Sequence, residues 1–527
     1  MAPVTAKAGD ETCMVFNTIK GAPQGRVVRF VVGEDKQPRE MTQAETEAEL
    51  GDPFATLLLN KGVFPSTAAE LLDAVDARVG ANHPLGPSSH MSFVLGEGSQ
   101  IPLADATPST NAGLRFLVSR GSGPKGPDLI ISTPGPDIAF VEVMAWDKKR
   151  KGFNYYRSAG PKRWAFAGNS RHALTPPTKG KGPFESHPSG NLIMKELRLP
   201  WVHWHSFEVD IFEDAFPKGD SRRKHPWFTQ KLGAEICETA VVMPSITRWT
   251  EARLNQVVAA NGTVTDPARV VEQIVTTPTV NLASSSRESK GAGPLDLPPG
   301  FFVDFDGLSR IGLPGPPGFS VSRAIYAKSL KTFDFRLDDG DGFVQPGDTH
   351  FAFVVPERAF EDTETLAQAV DRGLITRRLA AALLMVDFPN PVFSARRASL
   401  LKHAPKTATI KSGKSTYSDD MANAIIAAAA ATPANSPEKE FVDRWNKAAT
   451  LPGPLGDELE AYYDAIAKKL KTQAGFDDFV RLAESQRKRV RDQTRLVESL
   501  LLFPTTDVDD DERRAMKRDA TVVLVSA

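Results

Sequence analysis

Residues 138–172 read IAFVEVMAWDKKRKGFNYYRSAGPKRWAFAGNSRH. "IAFVEVMAW" and "RWAFAG" are short apolar runs, and "FNYYR" alternates, with the β-branched and aromatic content of strands. The stretch therefore reads as strands joined by charged turns, with the aromatic residues turned into a core. Upstream, "GRVVRFVVGE" at 25–34, "LRFLVSR" and "DLIIST" have the same character between Gly, Pro and Ser punctuation. Helices intervene near 42–50 and at 67–77, where "STAAELLDAVDA" offers a serine cap and helical spacing, and again in "DPARVVEQIV" at 266–275.

Further along, 284–300, "SSSRESKGAGPLDLPPG", has the composition of a linker or exposed loop. Strand-like alternation returns over 301–355 in "FFVDFDG", "FDFRLDDGDGFV" and "HFAFVVP". After Pro356 the pattern becomes helical. "DTETLAQAVDRG" has an acidic start and Gly373 as its stop, and 457–502 is almost wholly helical, broken near Gly475. The expected fold is α+β, with a large β-rich N-terminal part and a helical C-terminal part. The corresponding division is a mixed domain over 1–283, the loop at 284–300, strands at 301–355 returning to the first domain, and a helical region over 356–527.

At 527 residues the chain exceeds what one hydrophobic core ordinarily serves. A hydrophobic content of 41% with 24% charged residues is that of a globular protein, and a net charge of -1 gives no global field to recruit nucleic acid or membrane. Cys13 and Cys237 are far apart, which excludes a disulfide-rich scaffold or a cysteine zinc site. "MAPVTAKAGD" lacks the apolar run of a signal peptide, and "AIIAAAAA" is too short to span a bilayer, so the expectation is a soluble cytoplasmic protein without a membrane partner.

Several strings fail as motifs. "KSGKST" at 411–416 holds the Gly-Lys-Ser of a phosphate loop, but Ala408 stands where its first glycine belongs. "GLSRIG" at 307–312 has its second glycine one residue too late for a nucleophile elbow. "LDDGDGF" at 337–343 lacks the spacing of a calcium loop and reads as a hairpin turn.

Two constellations carry chemistry. In 147–172, Lys148, Lys149, Arg150, Lys151, Arg157, Lys162, Arg163 and Arg171 stand against Asp147 alone, with Phe153, Tyr155, Tyr156, Trp164 and Phe166 interleaved. Basic and aromatic residues together suit an anionic or nucleic-acid ligand. The second constellation is histidine: His172, His187, His203, His205 and His225 are five of the nine in the chain, and Trp201, Trp204 and Trp227 lie among them.

In a strand, His203 and His205 face one side, well placed to share a metal. Glu208 would complete a two-histidine, one-carboxylate set suited to non-haem iron, although its parity requires a bend after Phe207. His350, in "GFVQPGDTHFAFVV", is the other candidate ligand. His203-x-His205 and Pro346-Gly347-x-x-His350 resemble fragments of the two cupin signatures; the usual glutamate spacing and separation are not kept. The leading expectation is a divalent-metal-dependent enzyme, with an iron oxygenase-type oxidoreductase as the example and a substrate the sequence does not name. One alternative is a non-catalytic binding module using 147–172. The other is a non-covalent haem protein with His187 and Met194 as axial ligands.

Overall fold

The computed structural model describes residues 23–97, 113–121, 123–192, 204–207, 210–211, 217–277, 280–284, 293–338, 342, 344–346, 354–411, 414–492, 504–508 and 512–525. Its N-terminal half is organised by one eight-stranded sheet. The strands are β1 (Arg26–Arg29), β2 (Arg39–Glu40), β3 (Met91–Glu97), β4 (Gly113–Arg120), β5 (Leu129–Thr133), β6 (Glu142–Asp147), β7 (Gly152–Ser158) and β8 (Arg163–Asn169). They lie in the order β2-β1-β8-β7-β6-β5-β4-β3. From β3 to β8 the chain meanders antiparallel, each strand pairing with the next; β1 joins parallel to β8.

The apolar runs read as near-continuous because both faces of the sheet are covered. Val143, Ala145, Tyr156 and Trp164 face a layer built on the helices Gln43–Glu49, Pro53–Leu57 and Ala68–Asp76. Met144, Trp146, Phe153 and Tyr155 face the opposite way, onto Val241, Val242, Ile246 and Trp249. The first-layer helices are started by side chains. Thr42 and Glu45 form a reciprocal capping box, buried Asp52 caps Pro53–Leu57, and Thr67 caps Ala68–Asp76. The cap is thus Thr67, and Ser66 instead donates its N–H to Glu70 at 2.6 Å.

On the other face, Ala234–Cys237 runs through a wide π turn at Glu238–Val242 into Met243–Gln256. Pro244 explains the widening. In a straight α-helix its ring would strike the carbonyl four residues back, and it has no N–H to offer.

The C-terminal part is helical: Phe360–Asp371, Arg377–Leu384, Tyr417–Ala429, Pro437–Lys447, Gly453–Lys469 and Gln473–Asp492. Gly373, at φ 67°, ends the turn after Phe360–Asp371, as its position in the sequence predicts. With the sheet before it, this is the expected α+β architecture, and no helix among the described residues is long and apolar enough to cross a membrane.

The middle of the chain differs from its sequence reading. Leu295–Leu297, inside the stretch read as a linker, is a strand paired with Phe319–Val321, and both its leucines are buried. Residues 285–292 of that stretch lie outside the described set. The region read as returning strands contains the helices Phe305–Arg310 and Arg323–Thr332, and Phe301, Phe302, Val303 and Leu308 pack with the C-terminal helices rather than on the sheet. Among the described residues, Val280–Ser284 and Val354–Arg358 pair with each other, and Val280 and Leu282 pack toward the first part. The strands flanking "LDDGDGF" pair antiparallel, as a turn requires. Arg487 is buried beside Glu484.

A buried polar knot ties the parts together. Ser189, from the loop after β8, donates to Glu361 of the first C-terminal helix. Gln273 donates to Ser189, Glu361 and Asp362 at 3.2, 3.1 and 3.2 Å. Arg253 donates to Gln273 and, at 2.6 Å, to Thr365. Arg358 lies 3.1 Å from Asp304 and donates to the carbonyls of Gln273 and Ile274. Burial drives the Asp362 carboxyl well above the usual carboxylate range, against the pull of Arg358 3.7 Å away.

Candidate ligand-binding site

The β6–β7 connection is the basic turn Lys148–Lys151. Buried Asp147 fixes its backbone. One carboxylate oxygen accepts from the N–H groups of Lys149 and Arg150 at 2.9 and 2.8 Å, and the other accepts from Gly51 at 2.9 Å. Lys151 donates its N–H to the Asp147 carbonyl at 2.7 Å and closes the turn at φ 53°. This is an Asx-type turn, in which the carboxylate replaces the hydrogen bonds a helix would supply. With the backbone satisfied inward, the cationic side chains project outward.

Against this turn lies the last stretch of Met243–Gln256. Between them is a cavity of about 530 Å³, lined by Lys149, Arg150, Lys151 and Arg171 with the uncharged Asn169, Ala252, Asn255 and Gln256. Arg171 follows β8 and is held in place: its Nε donates to Gln256 at 3.2 Å, an Nη donates to the Arg150 carbonyl, and its guanidinium lies 5.9 Å from the Trp249 ring centre. Burial, and then neighbouring Arg150, lower its proton affinity below the ordinary arginine value.

Lys148 is spent elsewhere, 2.9 Å from Asp128, which also binds Arg248 at 2.8 Å. Among the described residues, Lys149, Arg150 and Lys151 have no carboxylate partner. The helix end brings roughly half a negative charge from its free carbonyls, against four cations. The balance inside the cavity is strongly positive.

The aromatic half of the segment goes to the interior. Phe153, Tyr155, Tyr156, Trp164 and Phe166 are each at most 5% exposed. Tyr156 donates to Asp52, which also accepts from Asn154 at 2.7 Å, and Trp164 donates to the Pro65 carbonyl at 2.8 Å. These rings pack the two cores and offer no face on which a base could stack.

Of the residues named as metal ligands, His205 alone is described; His203, Glu208 and His350 lie outside the described residues. His205 sits beside β3, its N–H bonded to the Val94 carbonyl at 3.1 Å and its Nδ1 2.9 Å from Asp210. Trp204 pairs with Leu95 and is buried in the sheet core. Burial and then Lys231 hold the His205 imidazole below its ordinary value. Among the described residues, no three His, Cys, Asp or Glu side chains are grouped to hold a metal ion.

For the haem alternative, Met194 lies outside the described residues. His187 has Nδ1 2.6 Å from the Asn191 carbonyl and its ring 5.4 Å from that of Tyr155. Of "KSGKST", Lys411 pairs antiparallel with Lys414, and Ser412 and Gly413 lie outside the described residues.

Sequence reasoning picked out the lysines and arginines of the cavity by their density. It missed Asn255 and Gln256, which arrive on a helix nearly a hundred residues away and carry no local signal. No protein-family model, curated protein or solved structure matches this chain.

Proposed function

We propose that this protein is a binding module for a small, multiply charged anion, with phosphorylated metabolites as the ligand class. The supporting observation is the cavity that Lys149, Arg150, Lys151 and Arg171 line without a carboxylate. Its volume falls in the range of small-molecule sites. Arg171 is pre-positioned by Gln256 and the Arg150 carbonyl, so one donor group need not be ordered on binding. The lysines can close on the ligand as flexible point charges, while the guanidinium groups supply directed N–H donors. Asn169, Asn255 and Gln256 add neutral polar groups for orientation. The lining consists of lysine, arginine, amide and alanine side chains, a set suited to holding an anion.

Isothermal titration of the full chain with pyrophosphate at low salt tests this reading. Saturable binding is expected, stronger for pyrophosphate than for phosphate. Lys149→Ala with Lys151→Ala should weaken it about tenfold, since both side chains are exposed and each removes roughly 0.5–1 kcal/mol of attraction. Absence of saturable binding, or an unchanged affinity in the double variant, would overturn the proposal.

A further inference from the structure

A second cleft, of about 480 Å³, opens where β3 begins and β4 ends. One wall is the helix Ala68–Asp76. Its residues Ala69, Leu72, Asp73 and Asp76 recur at helical spacing and so share the face that lines the cleft. The floor is Met91, Ser92 and Arg120. The opposite wall is His225, Pro226 and Trp227, tied to the sheet edge where Leu232 donates its N–H to the Ser92 carbonyl at 2.8 Å.

The charges here differ in kind from those at the basic turn. Arg120, only 4% exposed, is committed: it binds both oxygens of Asp76 at 2.9 and 3.1 Å and reaches the Leu85 carbonyl at 3.3 Å. Asp73 is exposed and, among the described residues, has no cationic partner. Two carboxylates against one guanidinium leave a net charge of one negative, provided both imidazoles are neutral.

Both imidazoles are held below the ordinary histidine value. Burial, and then Arg120, bring His90 down to about 4, and burial also lowers His225. The two rings flank Trp227, with centre-to-centre distances of 6.0 and 5.1 Å. His225 accepts from the Trp227 N–H on Nδ1 at 3.2 Å, so its proton sits on Nε2. The His90 backbone N–H donates to the Pro87 carbonyl at 3.1 Å, and its ring has no hydrogen-bond partner among the described residues, which leaves a ring nitrogen able to accept.

We propose that this cleft is a second binding site, for a small organic amine whose ammonium sits at the Asp73 mouth and whose hydrocarbon body lies against Met91, Trp227 and Leu232. An anion is disfavoured because the one cation of the lining is already paired. A neutral apolar ligand would leave Asp73 unused. An amine satisfies both the free carboxylate and the apolar wall, and the His90 ring can accept from one of its N–H groups.

The test is ligand-observed saturation-transfer titration of the full chain with benzylamine, benzyl alcohol and benzoate at neutral pH. Benzylamine should bind saturably, about fivefold tighter than benzyl alcohol, with benzoate weakest. Asp73→Asn, at an exposed helix position, should bring benzylamine down to the level of the alcohol. Lys149→Ala should leave benzylamine unaffected, which separates this site from the anion cavity. Equal binding of amine and alcohol, preference for benzoate, unaltered binding in Asp73→Asn, or no saturable benzylamine binding would each overturn the proposal.

Discussion

The two pockets lie at the same end of one sheet, on opposite faces, and are built in opposite ways. The basic cavity faces the Met243–Gln256 side and draws its charge from a turn whose backbone is fixed by a single buried carboxylate. The other cleft faces the Ala68–Asp76 side and draws its character from packing: an ion pair, two partly buried imidazoles and an indole. Three strand spacings separate β3 from β6, roughly 15 Å. A meander places every second connection at one end, so neighbouring turns can differ in charge without disturbing the strands between them. A net charge near zero for the chain thus conceals two local fields of opposite sign.

The comparison breaks most visibly at Asp147. Asp147→Ala removes the acceptor for three backbone N–H groups and should cost about 2–4 kcal/mol in urea unfolding. It should also weaken pyrophosphate binding although every cation of the cavity remains. Unaltered stability would mean that the turn holds its shape without the carboxylate. Benzylamine binding by the folded variant should be unchanged.

A smaller effect comes from pH. His90 titrates at about 4 in the folded protein and near 6.5 in the unfolded chain, so as acid is added the unfolded chain takes up its proton first. Its contribution to stability is complete above about 6.5, declines as the pH falls, and levels off near 4. His172, His205 and His225 are lowered too and add in the same direction. Unfolding midpoints measured from pH 7 to 4 should fall, and His90→Gln should flatten part of that slope. An identical slope in the variant would show that His90 is not the dehydrated group described.

The smallest expected difference is ionic. Raising salt should reduce pyrophosphate affinity steeply, because several unpaired cations act together, and benzylamine affinity only slightly, because one exposed carboxylate is involved. Equal salt slopes would remove the electrostatic distinction between the pockets.

Much of this architecture was legible in the sequence, for definable reasons. Alternation in "FNYYR" and the apolar runs around it report directly which side chains face a core, and Gly373 reports a backbone position that other residues enter at a cost. Charge density located the basic turn. The remainder depends on tertiary placement. Leu295 and Leu297 form a three-residue strand inside a Ser, Gly and Pro background, too short for its periodicity to outweigh composition. His90 stands alone in "SSHMSF" and owes its chemistry to Trp227 and Arg120, both distant in sequence. The histidine cluster drew attention to His205, yet what its described surroundings record is the sealing of the β3 edge, with its N–H on Val94 and Trp204 against Leu95.

The knot around Gln273 bears on synthesis as well as structure. Ser189 and Glu361 are 172 residues apart, and Arg253 precedes Thr365 by 112. At ordinary translation rates the first interval takes roughly 10–30 s, during which the sheet has left the ribosome without the hydrogen-bond acceptors that Glu361 and Thr365 supply to Ser189 and Arg253. Val392 and Val490, which complete the same apolar cluster, are made later still. The Trp146 and Phe153 face of the sheet is thus covered in stages, first by Met243–Gln256 and last by Val392 and Val490.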